Sequence, residues 1–339
     1  MTESGTGQSQ GEVTRVGRSG LVAAAARLVG GTSGNARQAG RAFLERASDH
    51  GIDLSCFWTI SGGGKAESRI PTQAVLIVPQ VGRTAMVFLS GPGPSRQCGD
   101  EATQTADRAA LLRGAFEGCE SLMGDDVHLL QALPSPDEPW AIDAFGRSGM
   151  TRLGNLAYLR RPLTMTFDAA GGVWPPGVRM RPIGVLGEAG EIAALTNALE
   201  RTYIDTLDCP GLCSLRRTAD VIESHKSAGD FTQAHWWLIE ADGEPEGCVL
   251  LSPSFENKSL ELVYMGLGPR LRGNGLATLS LRTALARAQR MPLDDVSCAV
   301  DLDNEPARAV YAKLGFAEFA RRVAFVRPTA AGPTGGRLG

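Results

Sequence analysis

Residues 267–277, LGPRLRGNGLA, join the end of an apolar run, ELVYMGL, to a segment with helical spacing from about 276 to 290. Everything after the middle of the chain is organised around this strand, Arg/Gly turn and helix. Gly273 and Gly275 let the backbone approach a ligand closely, and Asn274 tolerates unusual backbone angles. The first turn of a helix carries N–H groups without internal acceptors, and the helix dipole favours negative charge there. Arg270 and Arg272 add formal positive charge, so the stretch reads as a pyrophosphate cradle. A tight turn into a helix also needs glycine on steric grounds alone, so the wider pattern has to decide. The dinucleotide fingerprint is excluded, because it needs a third glycine and an acidic residue after the next strand.

A second segment follows at a fixed distance. Residues 301–316, DLDNEPARAVYAKLGF, come after a strand-like VSCAV run. Asn304 can cap a helix that begins with Glu305 and Pro306, where proline is tolerated. Ala307, Val310, Tyr311 and Leu314 fall at helical spacing, and Gly315 stops the helix. Together the two segments resemble the GCN5-related N-acetyltransferase (GNAT) superfamily. Its acyl-CoA signature, Arg/Gln-x-x-Gly-x-Gly/Ala, is carried here by Arg272, Gly275 and Ala277. Its fourth motif resembles Asn304-x-x-Ala307-x-x-x-Tyr311 with Gly315 and Phe316. The resemblance covers roughly residues 178–327.

Composition bounds the alternatives. At 339 residues the chain has room for two domains. A net charge of −3 argues against a dedicated nucleic-acid binder. No apolar run reaches membrane-spanning length, and no signal-peptide pattern precedes residue 20. The expectation is a cytoplasmic protein. Seven scattered cysteines fit free thiols in a reducing compartment. Cys209-x-x-x-Cys213 lacks a second Cys/His pair, so no metal site is expected.

Pro/Gly punctuation over PLTMTFDAAGGVWPPG marks a linker. On either side, helices and strands recur in one order. An offset of 166 residues brings Phe145 onto Tyr311, Gly149 onto Gly315, Met150 onto Phe316, Arg161 onto Arg327 and Pro162 onto Pro328. A tandem duplication follows as the preferred reading. The expected layout is a disordered lead-in at 1–20 and a degenerate GNAT-like domain at 21–162. A linker at 163–177, a catalytic GNAT domain at 178–327 and a disordered tail at 328–339 complete it. The expected fold is α/β, a mixed and mostly antiparallel sheet flanked by helices in each half. In the first half SGPGPSRQCG replaces the cradle, and Pro92 and Pro94 remove N–H donors a phosphate needs. Phe145 lacks the hydroxyl of Tyr311, and nothing acidic lies near Thr84, which roughly parallels Glu261.

The resemblance implies acetyl transfer from acetyl-CoA to an amine of a small molecule or peptide by direct attack, without metal. Glu261, in Glu-x-x-Tyr-x-Gly-Leu, is the implied base, and burial among Leu260, Leu262 and Tyr264 would raise its pKa. Tyr311 is the implied acid, since a phenol with a pKa of ~10 stays protonated at neutral pH. Backbone groups of Met265, Gly266 and Leu267 are expected to pair with the pantetheine arm. The cradle residues Arg270, Arg272, Gly273, Asn274, Gly275, Leu276 and Ala277 would hold the phosphates, with Asn304 and Ala307 lining the CoA arm. Tyr203, Asp205 and Asp208 offer groups to hold a cationic amine, and at least one of Trp236 and Trp237 belongs to the core. A monomer or homodimer is expected. Two alternatives stay open: a non-catalytic acyl-CoA sensor or scaffold, and a mycothiol-synthase-like acetylation of an amino-sugar thiol.

Overall fold

The structure, a computed structural model, describes residues 11–30, 35–61, 70–166 and 172–333. It forms two compact units. Among the described residues, one takes those up to Arg152 together with Phe325–Gly332, the other those of Leu153–Ala324.

The first unit contains β1 (Val13–Arg15), α1 (Leu21–Val29), α2 (Ala36–Asp49), β2 (Phe57–Ser61), β3 (Pro71–Gln80) and β4 (Thr84–Leu89). It continues with α3 (Ser95–Cys98), α4 (Glu101–Met123), β5 (Leu129–Ala132) and α5 (Pro139–Arg147). Neighbouring strands pair in the order β1-β2-β3-β4-β5, antiparallel except for the parallel β4–β5 pair. Asp100 caps α4 by accepting from the Thr103 N–H at 2.8 Å. Strand β1 lies inside the stretch expected to be disordered; Val13 pairs with Ile60, which gives this apolar residue a sheet neighbour. Residues 1–10 of that stretch lie outside the described residues.

The second unit begins within β6 (Thr151–Pro162) and runs through β7 (Val178–Pro182), α6 (Ala189–Tyr203), α7 (Thr218–Lys226) and β8 (Trp236–Ala241). β9 (Glu244–Ser254), β10 (Ser259–Leu267), α8 (Leu276–Ala288), β11 (Asp295–Asp301), α9 (Glu305–Lys313) and β12 (Ala317–Pro328) complete the chain. Its strand order is β6-β11-β10-β9-β8-β7, with β10–β11 the parallel pair. Asp242 and Gly243 both have positive φ, 53° and 89°, and close the β8–β9 hairpin as their dipeptide predicts. One sheet face packs Leu260, Leu262, Val296 and Val300 with Leu281 and Leu285 of α8. The other packs Leu238 and Leu250 with Leu195 and Leu199 of α6. Trp237 belongs to the first cluster and Trp236 to the second, so both tryptophans are core.

The closing strands of the two halves are arranged as follows. The region around Ala317 and Val323 is one continuous strand, β12. The strand expected to close the first half, β6, pairs instead with β11 along Leu156–Asp301 to Pro162–Asp295. Reciprocally, the end of β12 pairs with β5, Phe325 opposite Ala132 and Pro328 opposite Leu129. The last strand of each half thus completes the sheet of the other. The matched arginines follow the exchange. Arg161 donates through Nε to the Leu314 carbonyl at 2.6 Å, just before Gly315 at φ 84°. Arg327 approaches Gly149, at φ 86°, and its guanidinium stacks over Phe116.

The expected linker and tail are partly anchored. The Leu163 N–H donates to the Asp294 carbonyl at 2.9 Å, and Leu163 is buried. Thr329 donates through its hydroxyl to the Val127 carbonyl at 2.7 Å. Residues 167–171 and 334–339 lie outside the described residues.

Candidate active site

The parallel strands β10 and β11 are in register only at Ser259–Asp295, Leu260–Val296 and Glu261–Ser297. Beyond Glu261, β10 carries an irregularity between Leu262 and Tyr264 in its pairing with β9, which locally increases twist. The two strands then part, and a cavity of about 510 Å³ opens between them. Leu262 to Leu267 line one side and Ala299 and Val300 the other. Gly273, Gly275 and the first turn of α8 close one end, while Asn304, Ala307, Val310 and Tyr311 contribute from α9 and its cap. Backbone groups freed where the sheet parts can pair with an extended ligand arm.

At the cradle Gly273 has φ 80° and Gly275 φ 73°. A Cβ at either would meet no protein atom within 4 Å, so glycine is required by the backbone angle and not by crowding. The open space in front of the first-turn amides suits an anionic group. Leu276 and Ala277 line the cavity, whereas Asn274 does not, and donates to the Arg272 carbonyl at 3.3 Å.

The two arginines behave differently from a pair of phosphate ligands. Arg270 is absent from the lining and forms ion pairs with Asp242 at 3.0 Å and Glu246 at 3.4 Å. Arg272 lines the cavity, but its guanidinium donates to three carbonyls, of Leu267 at 2.9 Å, Asp205 at 3.1 Å and Thr202 at 3.0 Å. It ties the end of α6 to the end of β10. Gly266 fits the same junction, since a Cβ there would come within 2.7 Å of Thr202.

Tyr311 is buried and lines the cavity, and burial pushes its phenol well above the ordinary value, with the nearby Cys298 and Asp208 adding to the shift. Glu261 is not part of the lining. Leu260 and Leu262 pack on the α8 side, so alternation puts Glu261 on the α6 side. Glu261 is exposed at the surface, and desolvation by the neighbouring protein raises its carboxyl above the usual range. Tyr158 and Cys298 both feel its charge.

Of the residues considered for the amine, Asp205 and Asp208 line the cavity and Tyr203 does not. Tyr203 stacks edge-on against Tyr264 at 6.4 Å, and burial raises its phenol. Sequence reasoning missed Asp301, which is buried beneath Asp208. Its Oδ2 accepts from the Cys209 N–H at 3.1 Å, and its own N–H donates to Asp208 at 3.0 Å. No motif marks Asp301, because its partner lies 93 residues away. Thr202 was also missed; its hydroxyl meets that of Tyr264 at 2.6 Å.

The first unit closes the equivalent loop on itself. Gln104 of α4 accepts from the Gly93 N–H at 2.9 Å and donates to the Gly93 and Gly99 carbonyls, both at 3.0 Å. Arg27 donates to the Gly91 carbonyl at 2.5 Å. The register also corrects one correspondence: Met86, opposite Gln131, holds the place that Glu261 holds opposite Ser297. Thr84 lies two residues earlier on the same face, so the position still lacks an acid.

Residues 199–316 match the family model described as the acetyltransferase (GNAT) family. Mycothiol acetyltransferase of Streptomyces coelicolor is 30% identical over 168 residues, 50% of this chain and 52% of that protein. The Tsukamurella paurometabola protein of the same name is 27% identical over 195 residues, 53% of this chain and 61% of its own length. The chain thus spans little more than half the length of the curated relatives it matches. Among solved structures, a GCN5-related N-acetyltransferase from Sphaerobacter thermophilus shares the fold with a TM-score of 0.59, covering 95% of this chain and 96% of its own at 14% identity. The splayed β10–β11 pair and the α8 turn thus lie within the stretch, residues 199–316, that is similar to the acetyltransferase (GNAT) family, and the fold is shared with a GCN5-related N-acetyltransferase.

Proposed function

We propose that the second unit is an acetyl-CoA-dependent N-acetyltransferase acting on an amine of a small molecule or peptide. The observation that carries the reading is the cavity itself. It joins a cradle of open amides at Gly273–Ala277 to a buried phenol at Tyr311 across a gap between parallel strands. The residues fit acetyl-CoA, because Gly273, Gly275 and the first turn of α8 line the cavity and a Cβ at either glycine would meet no protein atom within 4 Å. Amides of the α8 turn would hold its phosphates, and β10 groups from Met265 to Leu267 its pantetheine arm. The thioester supplies the acetyl group when bound.

In this reading Glu261 takes the proton of the incoming amine through water, since its carboxylate stands outside the lining. The amine nitrogen forms the new C–N bond as the C–S bond breaks, and Tyr311 gives its proton to the departing sulfur. Arg272 acts by holding α6 against β10. The first unit, with its loop occupied by Gln104 and its own prolines, contributes no second cradle. Amine-dependent release of CoA thiol, measured across a panel of amines, tests the reading. Binding without turnover for every amine would favour an acyl-CoA sensor instead. A narrower reading is acetylation of an amino-sugar thiol, supported by the relatives named mycothiol acetyltransferases. An amino-sugar thiol preferred over simple amines would select it.

A further inference from the structure

The charge balance of the cavity bears on the acceptor. Among the described lining residues the acidic ones are Asp205 and Asp208, and the sole basic one is Arg272. Arg272 directs three of its five N–H groups to the carbonyls of Leu267, Asp205 and Thr202, which holds its guanidinium at the α6–β10 junction. Among the described lining residues two carboxylates thus stand against one arginine, itself tied to three backbone carbonyls, so the balance favours an ammonium over a carboxylate on the acceptor.

Asp208 is built into this position. The Asp301 N–H donates to its Oδ1 at 3.0 Å from the end of β11, while the Asp301 carboxylate beneath accepts from the Cys209 and Asp303 N–H groups, each at 3.1 Å. Asn304 accepts from the Ala307 N–H at 3.2 Å, which leaves its amide NH2 to face Asp208. Burial and the Asp301 charge raise the Asp208 carboxyl, and the hydrogen bonds from the Asp301 N–H and Asn304 oppose the rise. Its charge reaches Tyr311 and Cys298, so it stands close to the proposed reacting sulfur. Cys209, the next residue, has φ 44°, a left-handed angle that fixes the turn presenting Asp208.

We propose that Asp208, assisted by Asp205, selects an acceptor that arrives as a cationic amine and carries no carboxylate beside that amine. Amino sugars, diamines and arylalkylamines belong to the class, and α-amino acids do not. The inference rests on the acetyltransferase reading and narrows its acceptor. A carboxylate attached next to the amine would lie against Asp208, with Arg272 held away at the α6–β10 junction by its three carbonyls.

Matched acceptors test it on the full chain: tyramine against tyrosine, and cadaverine against lysine. The decarboxylated member of each pair should be favoured in kcat/KM by about tenfold or more. Asp208→Asn keeps an oxygen to accept from the Asp301 N–H, and should raise the amine KM about tenfold while kcat stays within about threefold. Glu261→Gln, by contrast, should lower kcat. Asp205→Asn supplies a second variant should Asp208→Asn fail to fold, which is read by acetyl-CoA protection against thermal unfolding. Equal turnover of amino acids and their amines would overturn the proposal, as would an unchanged amine KM in folded variants. Calorimetric binding of tyramine and tyrosine to the CoA-loaded protein reads the same preference without turnover. Amine binding that depends on Asp208 without any transfer would sink the acetyltransferase reading alone, and absence of binding and turnover alike would sink this one too.

Discussion

Tyr311 keeps its proton throughout the neutral range, because burial disfavours the phenolate far more than it disfavours the neutral ring. It can therefore donate to a leaving thiolate. Tyr311→Phe should lower kcat by about a hundredfold with little change in acetyl-CoA affinity, measured by thiol release and calorimetry. Glu261 must be ionised to act as a base, and its raised pKa moves that requirement upward. The acid limb of kcat/KM should lie above the ordinary carboxylate value of about 4.3 and vanish in Glu261→Gln. His225 gives a stability test of opposite chemistry. Burial, with Arg216 nearby, lowers its pKa to about 4. Its folded pKa lies below the unfolded value of about 6.5, so the unfolded chain binds the extra proton between them. The neutral ring's contribution is fully present above about 6.5 and is lost as pH falls towards 4. Replacing His225 with Gln should flatten this part of the stability curve, by up to about 3 kcal/mol, in denaturant titrations.

At the scale of elements, the α8 entrance and the α9 cap are short-range designs, and this is why the sequence was legible there. Asn304 caps α9 and Gly275 begins α8 at the positions their residue types demand. Gly275→Ala should cost about 1 kcal/mol in stability because of its positive φ. Acetyl-CoA affinity should fall further than that, since the methyl would occupy open ligand space. The arginines were not legible in the same way. Both precede a glycine-rich turn, yet Arg270 turns to Asp242 and Glu246, and Arg272 to carbonyls on α6 and β10. Residue type announces a charge, while its partner depends on what packs alongside. Arg272→Ala should lower the melting temperature of the second unit by several degrees, and Arg272→Lys should not restore it, because an ammonium cannot match a planar fork on three acceptors. Differential scanning calorimetry would read both.

For the whole molecule, the exchanged strands set how the chain can be divided. A fragment starting at residue 163 leaves β11 without β6, an exposed edge with an unpaired backbone. A fragment starting at residue 153 retains it. We expect the 153–333 fragment to be soluble and to melt higher than the 163–333 fragment, which should aggregate. Calorimetric titration of the full chain with acetyl-CoA should give about one site, because the first unit's loop is occupied by Gln104. Two equivalent sites would contradict the assignment of a single cradle.

The sequence by itself determined the periodic helices and strands, the Asn304 cap, the glycine turn that opens α8 and the doubled order, most of which act over a few residues. It also named Tyr311, whose helical spacing places it on the cavity side of α9. Tertiary structure decided the partner of each closing strand. The halves match at Arg161 and Arg327 and at Gly149 and Gly315, so either pairing satisfies the local pattern. It also decided that Asp208 faces the cavity over Asp301 while Glu261 stands outside it. Strand register and the parting of β10 from β11 are long-range properties, set by which surfaces can be buried together and not by any one segment's preferences.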